Sequence, residues 1–188
     1  ILGVVSEGEA LHGDRVRAGD VLVGYAANGF HTNGYSLLRR VIFGDLALGL
    51  TDELPGTGRS VVEVLLDVHR SYFRAVWPVR TAVHALAHIT GGGIPGNLVR
   101  VLPDTVDALV RDGTWPVSAA CRAVQEGGRI GAEEMRRVFN LGVGMIAVCP
   151  PDALERVRAA AAAARIDTWP IGEIVPGRGA VGWEPAAG

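Results

Sequence analysis

Short apolar runs closed by Gly, Pro or Asn alternate along this chain with segments whose apolar residues recur at helical spacing. Asp20-Val21-Leu22-Val23-Gly24-Tyr25-Ala26, opened by Gly19 and followed by Asn28-Gly29, reads as a buried strand. The same pattern predicts strands over Val106 to Val110, Val143 to Cys149, Thr168 to Val175 and Val181 to Glu184. Tyr35, Leu38, Val41 and Ile42 share a helical face behind Asn33-Gly34, and Ser60 is placed to cap a helix reaching Val68. Further helices are expected over Ser71 to Leu86 with a kink at Pro78, over Asn97 to Val101, over Ser118 to Glu126 and over Ala132 to Phe139. A last helix starts at Pro150-Pro151-Asp152 and aligns Leu154, Val157 and Ala161. The Gly-, Pro-, Thr- and Asp-containing stretch from Gly44 to Gly58 predicts a surface excursion. Strands and helices interleave without a strict βαβ period, which favours a single α+β domain with a mixed β-sheet covered by helices.

Composition narrows the class. With 188 residues, 48% hydrophobic and 20% charged, the chain can bury a core that offsets its conformational entropy. A formal charge of −2 supplies no basic field, so nucleic acid is not an expected partner. Every apolar run is broken well short of the roughly 20 residues that span a bilayer, so no membrane segment is expected. The opening Ile1-Leu2-Gly3-Val4-Val5 lacks the basic region and cleavage site of a secretory signal. Cys121 and Cys149 form no disulfide framework, which suits a reducing cytoplasm. All basic residues are Arg, so no lysine can clamp a phosphate or form a Schiff base.

Candidate chemistry gathers in three glycine-rich turns: Asn28 to Ser36, His88 to Gly93, and Phe139 to Met145. Successive backbone N–H groups beside a helix start can cradle an anion, and the hydroxyls of Thr32, Ser36 and Thr90 add donors. Phosphate is the expected guest, with His31 and His88 as charged donors to it or as groups that move protons near neutral pH. A single glycine triplet is more often only a tight turn, and His12, His69 and His84 read as structural. His84 precedes His88 by one helical turn, but no third ligand at a suitable spacing supports zinc, so no metal site is expected in these residues. Gly142-Val143-Gly144 precedes its apolar run instead of following a strand, which rules out a dinucleotide fingerprint.

Longer motifs carry a resemblance. Gly19-Asp20-Val21-Leu22, the run Gly29-Phe30-His31-Thr32-Asn33-Gly34-Tyr35-Ser36-Leu37, and His88-Ile89-Thr90-Gly91-Gly92-Gly93 with Asn97 come first; Glu134-Met135, Phe139-Asn140 and Gly142-Val143-Gly144-Met145 follow. In this order they closely resemble the C-terminal half of the phosphoribosylformylglycinamidine cyclo-ligase family, also called aminoimidazole ribonucleotide synthetase. The resemblance runs from about Gly19 to Glu173 and includes Arg100-Val101-Leu102-Pro103, Gly113-Thr114-Trp115-Pro116 and Trp169-Pro170-Ile171-Gly172-Glu173.

It implies an ATP- and Mg²⁺-dependent cytoplasmic ligase of purine synthesis that closes formylglycinamidine ribonucleotide to aminoimidazole ribonucleotide, releasing ADP and phosphate. It implies catalytic roles for His31 and His88, and contacts to substrate or phosphate from Gly29, Thr32, Asn33, Gly34, Ser36, Thr90, Gly91, Gly92, Gly93, Asn140, Gly142 and Gly144. The metal ligands and main nucleotide elements belong to an N-terminal half without counterpart here, so the chain is expected to be inactive alone and the intact enzyme a homodimer. Val68-His69-Arg70-Ser71-Tyr72-Phe73-Arg74 departs from the usual Pro-Thr-Arg-Ile-Tyr-Val-Lys, keeping only the Arg and the Tyr. Related readings are formylglycinamidine ribonucleotide synthase, selenophosphate synthetase, thiamine-monophosphate kinase and a hydrogenase-maturation protein with a terminal cysteine, absent from Pro185-Ala186-Ala187-Gly188. A non-catalytic phosphate-binding or dimer-supporting module is the alternative from another class.

Overall fold

The computed structural model describes residues 4–185; Ile1-Leu2-Gly3 and Ala186-Ala187-Gly188, on which the readings about a signal and a terminal cysteine partly rest, lie outside the described residues. Six strands form one mixed sheet in the order β4-β6-β1-β7-β5-β8: β1 (Val21–Ala26), β4 (Ala85–His88), β5 (Val106–Arg111), β6 (Val143–Cys149), β7 (Thr168–Pro176) and β8 (Val181–Glu184). All pairings are antiparallel except β5 with β8. The α+β expectation holds, as do the positions expected for β1, β5, β6, β7 and β8.

Alternation along the strands divides the core between the two faces of the sheet. Leu22, Ala85, Ala87, Ile146, Val148, Ile171 and Ile174 pack with Ile94 and Leu98 of α4 (Gly93–Leu98) on one side. Val23, Tyr25, Ala147 and Cys149 pack on the other against α3 (Phe73–Val76) and α7 (Leu154–Ala163). A further apolar cluster joins α1 (Tyr35–Arg39) to α2 (Val61–Leu65), α5 (Ala119–Gly127) and α6 (Ala132–Val138). Ser60 caps α2 as expected: its hydroxyl accepts from the Glu63 N–H while the Glu63 carboxylate accepts from the Ser60 N–H.

Three expectations need correction, and a fourth gains detail. The helix over Ser71 to Leu86 is instead the short α3, a 3-10 turn at Trp77–Val79, and strand β4. Pro78 lacks the N–H that an α-helix would use, and Ala85, Leu86, Ala87 and His88 alternate in burial as a strand does. The helix capped by Ser60 stops at Leu65, short of Val68. The segment Gly44 to Gly58 does lie at the surface; it begins inside a π-helical turn, Arg40–Asp45, and holds a hairpin of β2 (Glu53–Leu54) and β3 (Arg59–Ser60), with Leu54 alone fully buried, beneath α2. The helix expected from Asn97 starts at Gly93, within the glycine run.

Candidate functional site

The sheet explains why the three glycine turns meet. Strands β1 and β4 flank β6 and both run antiparallel to it, so the ends of β1 and β4 lie beside the beginning of β6. Met145 pairs with Tyr25 on one side and with His88 on the other. The turn after β1, the turn after β4 and the turn before β6 therefore share one end of the sheet. Each contains two consecutive residues of positive φ: His31 and Thr32 (50° and 60°), Gly92 and Gly93 (99° and 61°), Leu141 and Gly142 (52° and 101°). For His31, Thr32 and Leu141 this backbone costs on the order of 1 kcal/mol each and persists because the surroundings enforce it.

Buried amides hold the turns in place. Asn140 Nδ2 donates to the Gly29 carbonyl at 2.8 Å, and its Oδ1 accepts from the Gly142 N–H at 2.9 Å. Asn97 Nδ2 donates to the Gly93 carbonyl at 2.7 Å, while its Oδ1 accepts from the Thr90 hydroxyl at 2.9 Å. The Thr32 hydroxyl and Asn33 Nδ2 both donate to the His31 carbonyl. Of the residues expected to touch substrate or phosphate, Asn140, Gly142 and Gly144 are buried, Gly93 is buried against α6, and Thr32, Ser36 and Gly91 are exposed. Gly29, Asn33, Gly34, Thr90 and Gly92 are half-buried between them.

His31 and His88 come together, and His69 joins them. The His31 ring is buried, stacked on His69 with centroids 4.0 Å apart, and its edge faces Tyr72. His69 Nε2 lies 3.2 Å from His88 Nε2, a hydrogen bond in which one of the two nitrogens carries the proton. One nitrogen of each ring lies within 4.8 Å of the others, the one group of three such ligands among the described residues. His84, by contrast, meets Asp20 Oδ2 at 2.7 Å through Nδ1, in the structural role expected of it.

Asn28 organises the group. Its Nδ2 donates to the Val68 carbonyl at 2.7 Å and its Oδ1 accepts from the Arg70 N–H at 3.1 Å, so the amide has one orientation. That oxygen lies 2.9 Å from His31 Nε2, whereas the Asn28 N–H stands 3.3 Å from the same nitrogen; the shorter contact is to an oxygen that can only accept, so we assign the proton to Nε2. His31 Nδ1 is then an unprotonated, buried nitrogen without a hydrogen-bond partner. The back wall is Gly144, where any side chain would collide with Tyr72 and His31. The Tyr72 hydroxyl donates to the Ala26 carbonyl at 2.9 Å, and burial holds its acidity well below that of a free phenol.

Burial, and secondarily the neighbouring His69, His88 and Arg70, hold the His31 pKa down to about 4. Burial and His69 lower that of His88. The folded protein thus binds fewer protons at His31 than the unfolded chain between pH 6.5 and 4. This contribution is intact above pH 6.5 and lost as pH falls through 4, where it removes about 3 kcal/mol. Urea unfolding at pH 7 and pH 4.5 should show a smaller acid loss in His31→Gln than in the parent; equal losses would mean that His31 is not buried neutral.

His69 is the member that sequence reading missed, having placed it among the structural histidines. The visible signal is its position in a motif where the resembling family has Thr.

A family model described as "AIR synthase related protein, C-terminal domain" matches residues 17–184. The phosphoribosylformylglycinamidine cyclo-ligase of Sorangium cellulosum is 42% identical over 178 residues, which are 93% of this chain and 51% of the relative. The chloroplastic/mitochondrial cyclo-ligase of Vigna unguiculata is 40% identical over 95% of this chain and 46% of its own length. The chain thus spans about half the length of the curated relatives it matches. Among solved structures, thiamine-monophosphate kinase from Stenotrophomonas maltophilia superposes with a TM-score of 0.67 at 22% identity, covering 98% of this chain and 56% of that one. The hydrogenase maturation protein HypE in complex with ATP gives 0.62 at 19% identity, over 97% and 52%.

Proposed function

The chain belongs to the AIR synthase related family, as its C-terminal domain, and from that premise we propose that it is the C-terminal half of a phosphoribosylformylglycinamidine cyclo-ligase. The observation that carries the reading is the convergence of three glycine turns, each with two consecutive residues of positive φ, on one sheet end, with exposed His88 at its rim. The reaction is a phosphoryl transfer followed by an intramolecular addition. ATP phosphorylates the formamide oxygen of formylglycinamidine ribonucleotide; the amidine nitrogen attacks that carbon, phosphate leaves, and the ring loses a proton.

Little covalent chemistry falls to the protein, so positioning and charge stabilisation dominate. In our reading the exposed to half-buried backbone of Thr32 to Gly34 and Thr90 to Gly92, with the Ser36 hydroxyl, receives the ribose phosphate or the transferred phosphate. His88, exposed and held neutral by its surroundings, accepts the proton released on ring closure. His31 is buried behind it and sets the wall against which the turns are formed.

ATP and Mg²⁺ are assigned chiefly to the N-terminal half of the intact enzyme. Leu66, Val68, Phe73 and Trp77 are exposed around the segment carrying His69, and we assign this apolar face to contact with that half. The intact enzyme is read as a homodimer in the cytoplasm. Among the described residues no helix is long and apolar enough to cross a membrane, and both cysteines are free and buried, their thiols pushed up to about 11 by burial.

The roles are testable in a chimaera in which this chain replaces the matching half of the Sorangium cellulosum enzyme. His88→Ala should lower kcat by about 100-fold or more with a smaller change in KM. Unchanged turnover in both His88→Ala and His31→Ala would remove the proton role and weaken the phosphate role.

A further inference from the structure

We propose that His31, His69 and His88 form a binding site for one divalent transition-metal ion of the zinc class. Metal bonds to imidazole of about 2.0–2.1 Å in a tetrahedral site put ligand nitrogens about 3.3 Å apart. His69 Nε2 and His88 Nε2 already stand at 3.2 Å, and one nitrogen of each of the three rings lies within 4.8 Å of the others. The third ligand has its lone pair ready: His31 Nδ1 is buried with no partner. Its opposite nitrogen is engaged by Asn28 Oδ1, an outer hydrogen bond of the kind that fixes the tautomer of metal-bound histidines. Asn28 is itself anchored to Val68 and Arg70, on either side of His69, so one side chain ties two of the ligand-bearing segments together.

The ligand set names the class of ion. Three imidazoles without a carboxylate suit zinc, nickel or copper and exclude magnesium and calcium, which require oxygen. His31 and His69 are stacked in the free protein, so binding turns the half-exposed His69 ring toward the nitrogens of the other two. Exposed His88 leaves the fourth position open to solvent, where water or an anionic oxygen completes the shell. Metal binding is independent of the ligase reading, and either can fail alone. With a cation bound the His88 lone pair is committed, so chelator-treated protein is the form in which its proton role is tested.

The test is titration of chelator-stripped protein with Zn²⁺ against a competing chromophoric chelator, with Co²⁺ as a spectroscopic probe. One tight equivalent is expected, with the intense visible bands of a four-coordinate Co²⁺ ion. His69→Ala and His88→Ala should each weaken binding by about 100-fold, while His12→Ala and His84→Ala leave it unchanged. His69 stands half-buried on the segment between α2 and α3, so His69→Ala tests the site without removing the buried His31 ring from the core. Absence of a tight equivalent, six-coordinate Co²⁺ spectra, or parental affinity in folded His69→Ala protein would overturn the proposal.

Discussion

Gly93→Ala is expected to destabilise the protein by about 4 kcal/mol and to lower Tm by about 10 °C. Gly93 has φ of +61°, and an added Cβ would sit 2.9 Å from the Arg136 carbonyl carbon, nearer still to its oxygen, and 3.1 Å from the Phe139 carbonyl oxygen. Both obstacles are backbone at the end of α6, where no rotamer change can make room. Relief requires α4 to move away from α6, which breaks the Asn97 bonds that hold the Thr90-to-Gly93 turn. Gly96→Ala, three residues on in the same helix, meets nothing within 4 Å and should be neutral or stabilise by up to about 1 kcal/mol. Thermal unfolding of the two variants side by side checks the pair; a similar Tm for both would mean that the α4–α6 contact is looser than described.

Gly144→Ala is expected to cost about 2–3 kcal/mol and to displace His31. Here φ is unremarkable and the obstruction is side chains: the new methyl would lie 2.8 Å from His31 Nδ1 and closer to the Tyr72 hydroxyl. Neither can retreat easily, because Tyr72 is bonded to the Ala26 carbonyl and His31 to Asn28. Tyr72→Phe alone should cost about 1 kcal/mol, since Arg70 still donates to that carbonyl. In the double variant the losses should fall short of additive, because removing the hydroxyl relieves the nearest clash. Strict additivity in urea unfolding would place Gly144 away from Tyr72.

Much of this architecture is legible in the chain, and its failures have physical causes. The run Asp20 to Ala26 and the later apolar runs are bounded by breakers, so local pattern suffices to place β1, β5, β6, β7 and β8. Strand β4 is hidden because Ala85-Leu86-Ala87 is equally compatible with a helix, and only pairing with β6 decides it. The glycine turns are visible individually, but their convergence depends on the antiparallel order β4-β6-β1, which no local pattern encodes. His69 is the clearest case: it sits on a segment without periodicity, nineteen residues from His88, and joins the site through tertiary contact alone. Its substitution for Thr in an otherwise partly kept motif is a signal that points to this position without saying what it meets.

The central claim is that these glycine turns serve the cyclo-ligase reaction, and the chimaera with the Sorangium cellulosum N-terminal half tests it most directly. Purified and shown to be folded, it should convert formylglycinamidine ribonucleotide with ATP and Mg²⁺ to aminoimidazole ribonucleotide, one ADP and one phosphate appearing per ring closed. A folded chimaera that binds ATP yet closes no ring would contradict the claim and leave the chain a phosphate-binding or dimer-supporting module.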